Sequence, residues 1–80
     1  KETMQATVYG TPRCSWCDKV VKMLDENEIE VEKIDVSESK KNLKLMKSVV
    51  GKPTTTVPQV TIDGNFVGGY TEVERFINRL

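Results

Sequence analysis

Hydrophobic residues along this chain switch between two periods, and each switch marks a change of element. Thr7, Val8 and Tyr9 are strand formers that run into Gly10, Thr11 and Pro12, which predicts a first strand ending in a tight loop. From close to Cys14 the spacing turns helical: Val20, Val21 and Leu24 recur among charged residues, predicting an amphipathic helix over residues 15–27. Residues 29–36 mix charged with apolar and β-branched side chains and predict a second strand. A strand, a helix and a strand in that order close right-handed, with the two strands parallel.

Ser37 is placed to cap a second helix whose Leu43, Met46, Val49 and Val50 form an apolar face, and Gly51 followed by Pro53 stops it. Residues 57–63 and 65–67 flank Asp63-Gly64, a strong short-range hairpin signal. Beyond Gly68-Gly69, Thr71 and Glu74 stand as an S/T-x-x-E capping box, and Val73, Phe76, Ile77 and Leu80 follow the spacing of a core-facing helix. The expected order is β-α-β-α-β-β-α, an α/β domain with a four-stranded mixed sheet and three helices. Met23 and Met46 read as core filler. Lys40, Lys41, Lys44 and Lys47 read as a solvated helix face, with docking of acidic proteins as its functional alternative.

Size and charge narrow what such a chain can do. Its 80 residues, 38% of them hydrophobic, suffice for one small core, so residues 1–80 are expected to form a single domain. Twelve Lys and Arg balance twelve Asp and Glu, which argues against nucleic acid or an anionic membrane as partner. No apolar run approaches the ~20 residues of a membrane span. Residues 1–3 are charged and polar and lead into Met4 without the apolar stretch of a secretory signal, so the expected location is cytoplasmic; a lysine at position 1 suggests a trimmed start.

Soft-nucleophile chemistry rests on Cys14 and Cys17, a C-x-x-C at the start of a helix that follows a strand, which is the context of a redox motif. With no histidine and no third cysteine, a self-contained zinc site lacks ligands. A structural disulfide is the alternative, but closing so short a loop restrains the unfolded chain by only about 2 kcal/mol, against ~4.7 for a loop of a hundred residues. Cys14 faces the unpaired N–H groups and positive dipole end of the helix, beside the charge of Arg13, and is expected to be the attacking thiolate. Cys17, one turn in, is the expected resolving thiol with the higher pKa. A stabilised thiolate is also a weaker nucleophile, so Arg13 is expected to tune Cys14 mainly as a leaving group.

In sequence order, Val8-Tyr9 ends the first strand, C-S-W-C occupies positions 14–17, T-V-P 56–58, I-D-G 62–64 and G-G 68–69. Together these resemble the glutaredoxin family over nearly the whole chain. The resemblance implies a thioredoxin-like fold and a glutathione-coupled thiol–disulfide oxidoreductase that uses the Cys14/Cys17 dithiol. Its partners would be glutathione as co-substrate and disulfide-containing or glutathionylated proteins. It further implies a cis Pro58 and a Val57 backbone that pairs with the ligand like an edge strand. Gly68 and Gly69 would admit the ligand closely, with its γ-glutamyl carboxylate on the helix N-terminus at Thr71 and its amino group near Glu72. The implied binding residues are thus Thr11, Arg13, Trp16, Thr56, Val57, Pro58, Gly69, Thr71 and Glu72.

Some positions depart from the family pattern. Thr11 and Thr54 stand where basic residues are common, leaving Arg13 or Lys52 to meet the glycine carboxylate. Trp16 either shapes a protein contact beside the reactive sulfur or packs over the helix start. Ser15 in place of proline resembles members that hold a [2Fe–2S] cluster between two protomers, with Cys14 and glutathione as ligands; without a cluster a monomer is expected. A further alternative within the class is a thioredoxin-reductase-coupled electron donor to ribonucleotide reductase, which the Gly-Gly-plus-acidic pattern disfavours.

Overall fold

The computed structural model describes residues 4–53 and 56–80, so Thr54 and residues 1–3 lie outside the described residues. Its elements follow the expected order: β1 (Gln5–Gly10), α1 (Ser15–Glu26), β2 (Glu30–Asp35), α2 (Lys40–Val50), β3 (Gln59–Ile62), β4 (Asn65–Gly68) and α3 (Tyr70–Asn78). The four strands form one mixed sheet in the order β2-β1-β3-β4. β1 runs parallel to β2 and antiparallel to β3, which is antiparallel to β4. This is a thioredoxin-like arrangement.

Alternation along β1 divides the molecule into two cores, because successive strand side chains point to opposite faces. Ala6 and Val8 pack with Val20 and Leu24 of α1 and Val73 of α3 on one face, together with Val60 and Ile62 of β3. Tyr9 packs with Val36 and Met46 on the other face, where Leu43, Val49 and Val50 of α2 complete the cluster. Among the described residues, no helix is long and apolar enough to cross a membrane.

Chain reversals follow their local chemistry. Asp63 and Gly64 both adopt positive φ, 52 and 84, as a two-residue primed hairpin turn requires. α1 ends on Glu28 at φ 60, with Ile29 N–H donating to Leu24 C=O and Glu28 N–H to Asp25 C=O, both at 3.0 Å. That pair of bonds is a Schellman motif, and Ile29 and Leu24 share the same core. The β3–β4 register shifts between Val60 and Thr61, which pair with Gly68 and Phe66, so Val67 is the extra residue of a β-bulge.

Three expectations are corrected. α2 is capped by Ser39, whose Oγ accepts the Asn42 N–H at 3.1 Å, rather than by Ser37. Ser37 is occupied elsewhere: its N–H and O–H both donate to Asp35 Oδ1, at 2.8 and 2.6 Å. α3 starts at Tyr70, so Thr71 lies inside the helix, and Glu72 rather than Glu74 reaches back, its Oε1 accepting the Gly69 N–H at 2.9 Å. Leu80 falls beyond the end of α3 and is 67% exposed, outside the core.

Candidate active site

Cys14 is the N-cap of α1, with extended backbone at φ −92 and ψ 107. Its Sγ fills the place usually taken by a serine or aspartate oxygen and accepts the N–H of Cys17 at 3.2 Å. The preceding turn is held by the Cys14 N–H donating to Thr11 C=O at 3.3 Å, and the first helical turn by the Asp18 N–H donating to Cys14 C=O at 3.3 Å. The sulfur therefore stands where a helix offers its unpaired donors and the positive end of its dipole. It is half-buried and reachable, and both cysteines are free thiols.

Cys17 faces inward and is fully buried. Gly10, the last residue of β1, lies directly behind it. A Cβ at position 10 would overlap the Cys17 Sγ and come within 3.2 Å of its Cβ, so the strand can pass here only as glycine. Burial pushes the Cys17 thiol up from its ordinary 9.0 to about 11, and its hydrogen bond to the Cys14 sulfur adds to the rise. The Thr11 amide and the Lys33 charge oppose that rise.

The β1–β3 register brings the next part of the site alongside. Tyr9 pairs with Gln59, so the preceding Pro58 falls beside Gly10. The Val57–Pro58 bond is cis, as the resemblance implied, and Pro58 is buried. A groove of about 410 Å³ opens here, lined by Val50, Lys52, Thr56, Val57, Pro58, Gln59, Phe66, Val67, Gly68, Gly69 and Glu72. Gly68 sits at φ 134, and a Cβ there would meet the Glu72 side chain at 2.7 Å. At Gly69 a Cβ would come within 3.4 Å of Pro58 C=O, which shows how closely the start of α3 abuts the proline turn.

Of the residues singled out from sequence, Lys52, Thr56, Val57, Pro58, Gly69 and Glu72 thus line one groove, which carries a cation and a carboxylate. Thr11 reaches the cysteines through its backbone rather than its side chain. Arg13 is exposed in the loop and pairs with no carboxylate among the described residues. Trp16 is 51% exposed, edge-on to Tyr70 at 5.1 Å between ring centroids, with Lys19 Nζ 4.4 Å above it. Thr71 is exposed and does not line the groove.

Gly10, Tyr70 and Lys33 were not singled out. Gly10 carried a signal, being the glycine that closes a strand just before C-x-x-C; Tyr70 carried a weaker one, as the aromatic directly after Gly-Gly. Among the described residues no group of three or more His, Cys, Asp or Glu could hold a metal ion.

Comparison with known proteins agrees with this geometry. The family model described as Glutaredoxin matches residues 6–67. A glutaredoxin-like 8.6 kDa protein of the rubredoxin operon of Clostridium pasteurianum is 31% identical over 67 residues, covering 84% of this chain and 87% of that protein. Glutaredoxin 1 of Francisella tularensis, crystallised with cacodylate, superposes with a TM-score of 0.78 at 23% identity, over 96% of this chain and 95% of that one. A buckwheat glutaredoxin–glutathione complex superposes with a TM-score of 0.75 at 22% identity, over 92% of this chain and 68% of that one. A reachable sulfur at a helix start, a second sulfur buried behind it and a match running through both thiols and the cis-proline turn place this chain in the glutaredoxin family of thiol–disulfide oxidoreductases.

Proposed function

We propose that the chain is a dithiol glutaredoxin that reduces protein disulfides and glutathione mixed disulfides at the expense of glutathione. The observation that carries this reading is the asymmetry of the cysteine pair: Cys14 reachable at the N-cap, Cys17 fully buried and donating its backbone N–H to the Cys14 sulfur. Cys14 attacks one sulfur of the substrate disulfide. A bond forms between Cys14 and that sulfur, the substrate S–S bond breaks, and the other sulfur leaves with the electron pair and takes up a proton. In the dithiol branch Cys17, as thiolate, then attacks Cys14 and releases the bound sulfur. In the monothiol branch glutathione performs that second attack.

Glutathione fits the groove by its chemistry. It offers two carboxylates, an ammonium group and extended peptide backbone, and the groove sets Lys52, Glu72, the Val57 backbone and the N-terminus of α3 against them. The buckwheat relative, bound to glutathione, shares this fold. That both cores share a single sheet supports reading the chain as one unit. A dithiol that must return to its reduced form after each turnover works where thiols are kept reduced, which is the cytoplasm.

The test is glutathione-dependent reduction of a glutathione mixed disulfide and of a protein disulfide by the parent, Cys14→Ser and Cys17→Ser proteins. Cys14→Ser is expected to lose both activities, and Cys17→Ser to keep the first and lose most of the second. A parent protein without glutathione-dependent turnover would overturn the reading.

A further inference from the structure

We propose that Lys33, held on β2 by Asp18, assists the second half of dithiol turnover by stabilising the charge that develops on Cys17 as it attacks Cys14. The inference rests on the dithiol reading above and adds to it a residue outside the cysteine loop and the groove.

Register puts Lys33 on the right face. In a parallel pair, partners across the ladder share a face. Lys33 pairs with Val8 and Asp35 with Gly10, so all four belong to the α1 side of the sheet, where Val8 packs on α1 and Gly10 backs onto the Cys17 sulfur. Lys33 Nζ lies 3.7 Å from Asp18 Oδ1, and Asp18 directly follows Cys17 in α1. A shallow cleft of about 170 Å³, lined by Gly10, Thr11, Pro12, Lys33, Ile34 and Asp35, opens this region to water.

Few other charges act on this thiol. Cys14 supplies a sulfur that carries no charge once it is bonded to a substrate. Asp18 is turned to Lys33, and Asp35 accepts both donors of Ser37. Arg13 is exposed in the preceding loop. Besides the larger pull of the Thr11 amide, the Lys33 charge draws the Cys17 thiol downward against burial. The step balances without a further reagent. Cys17 gives its proton to solvent, its thiolate forms the bond to Cys14 Sγ, and the bond from Cys14 to the substrate sulfur breaks. That sulfur leaves with the electron pair and is protonated; the two cysteines are oxidised and the substrate is reduced.

Lys33 is half-exposed and its field is screened, so the effect is modest. Lys33→Gln is expected to lower the ratio of protein-disulfide to glutathione mixed-disulfide turnover about threefold, and Lys33→Arg to restore it. In a Cys14→Ser background, thiolate absorbance against pH should place the Cys17 titration higher with Lys33→Gln than with Lys33→Arg, whose charge persists through that range. An unchanged ratio, or an equal loss of both activities without a shifted titration, overturns the proposal. The dithiol reading fails separately, if Cys17→Ser reduces protein disulfides as well as the parent does.

Discussion

Cys14 and Cys17 have identical side chains three positions apart, and their surroundings alone make them different reagents. Burial is the larger part of that difference, and it couples the thiol to stability. Cys17 titrates at about 11 in the folded protein against an ordinary 9.0, so between these values the unfolded chain gives up its proton first. Its contribution is therefore fully present below pH 9, falls as pH rises through the window and levels off above it. Urea denaturation at about pH 8 and about pH 10.5 should show a larger loss of stability in the parent than in Cys17→Ser. An equal loss would mean that Cys17 is not the titrating group. The raised Cys17 thiol was legible in the sequence, because a position one turn into a core-facing helix is buried. The sequence hid the placement of Lys33, which joins the α1 face only when β2 is laid beside β1.

Turns and caps show where pattern reading works at the scale of elements and where it slips. Asp63-Gly64 was legible because its demand, positive φ at two adjacent positions, is met by few residue pairs. The two helix starts were misread because several residues satisfied the same pattern. Thr71 and Glu74 have the spacing of a capping box, yet Glu72 bonds to Gly69 once α3 begins at Tyr70. Ser37 and Ser39 are equally good caps in composition, and Asp35 decides by engaging Ser37. The end of α1 carries a test. Glu28 holds a left-handed conformation that glycine adopts without a Cβ penalty. Glu28→Gly is therefore expected to raise unfolding free energy by about 0.5–1 kcal/mol, read as a higher urea midpoint at unchanged slope.

Taken whole, the molecule is small enough for single core residues to matter. Leu24 is completely buried where α1 meets the sheet and Ile29, and Leu24→Ala is expected to cost about 2–5 kcal/mol. That is a large share of the 5–15 kcal/mol typical of a domain. Leu80→Ala should stay within about 0.5 kcal/mol of the parent, because that side chain is 67% exposed. A comparable loss in the two variants, read from their denaturation midpoints, would contradict the described core. Periodicity had grouped Leu80 with Val73, and only the end of α3 separates them. The sheet order was not legible, since β-α-β-α-β-β-α does not say on which side of β1 the third strand lies. That choice puts β3 and its proline turn beside Gly10. The Val67 bulge has a consequence for life at high concentration. β4 is an outer strand of only four residues with its ladder broken by the bulge, and the opposite edge, β2, carries Glu30, Glu32 and Lys33. Neither border offers a long, flat, apolar row of free amides, so the protein is guarded against templating its own aggregation.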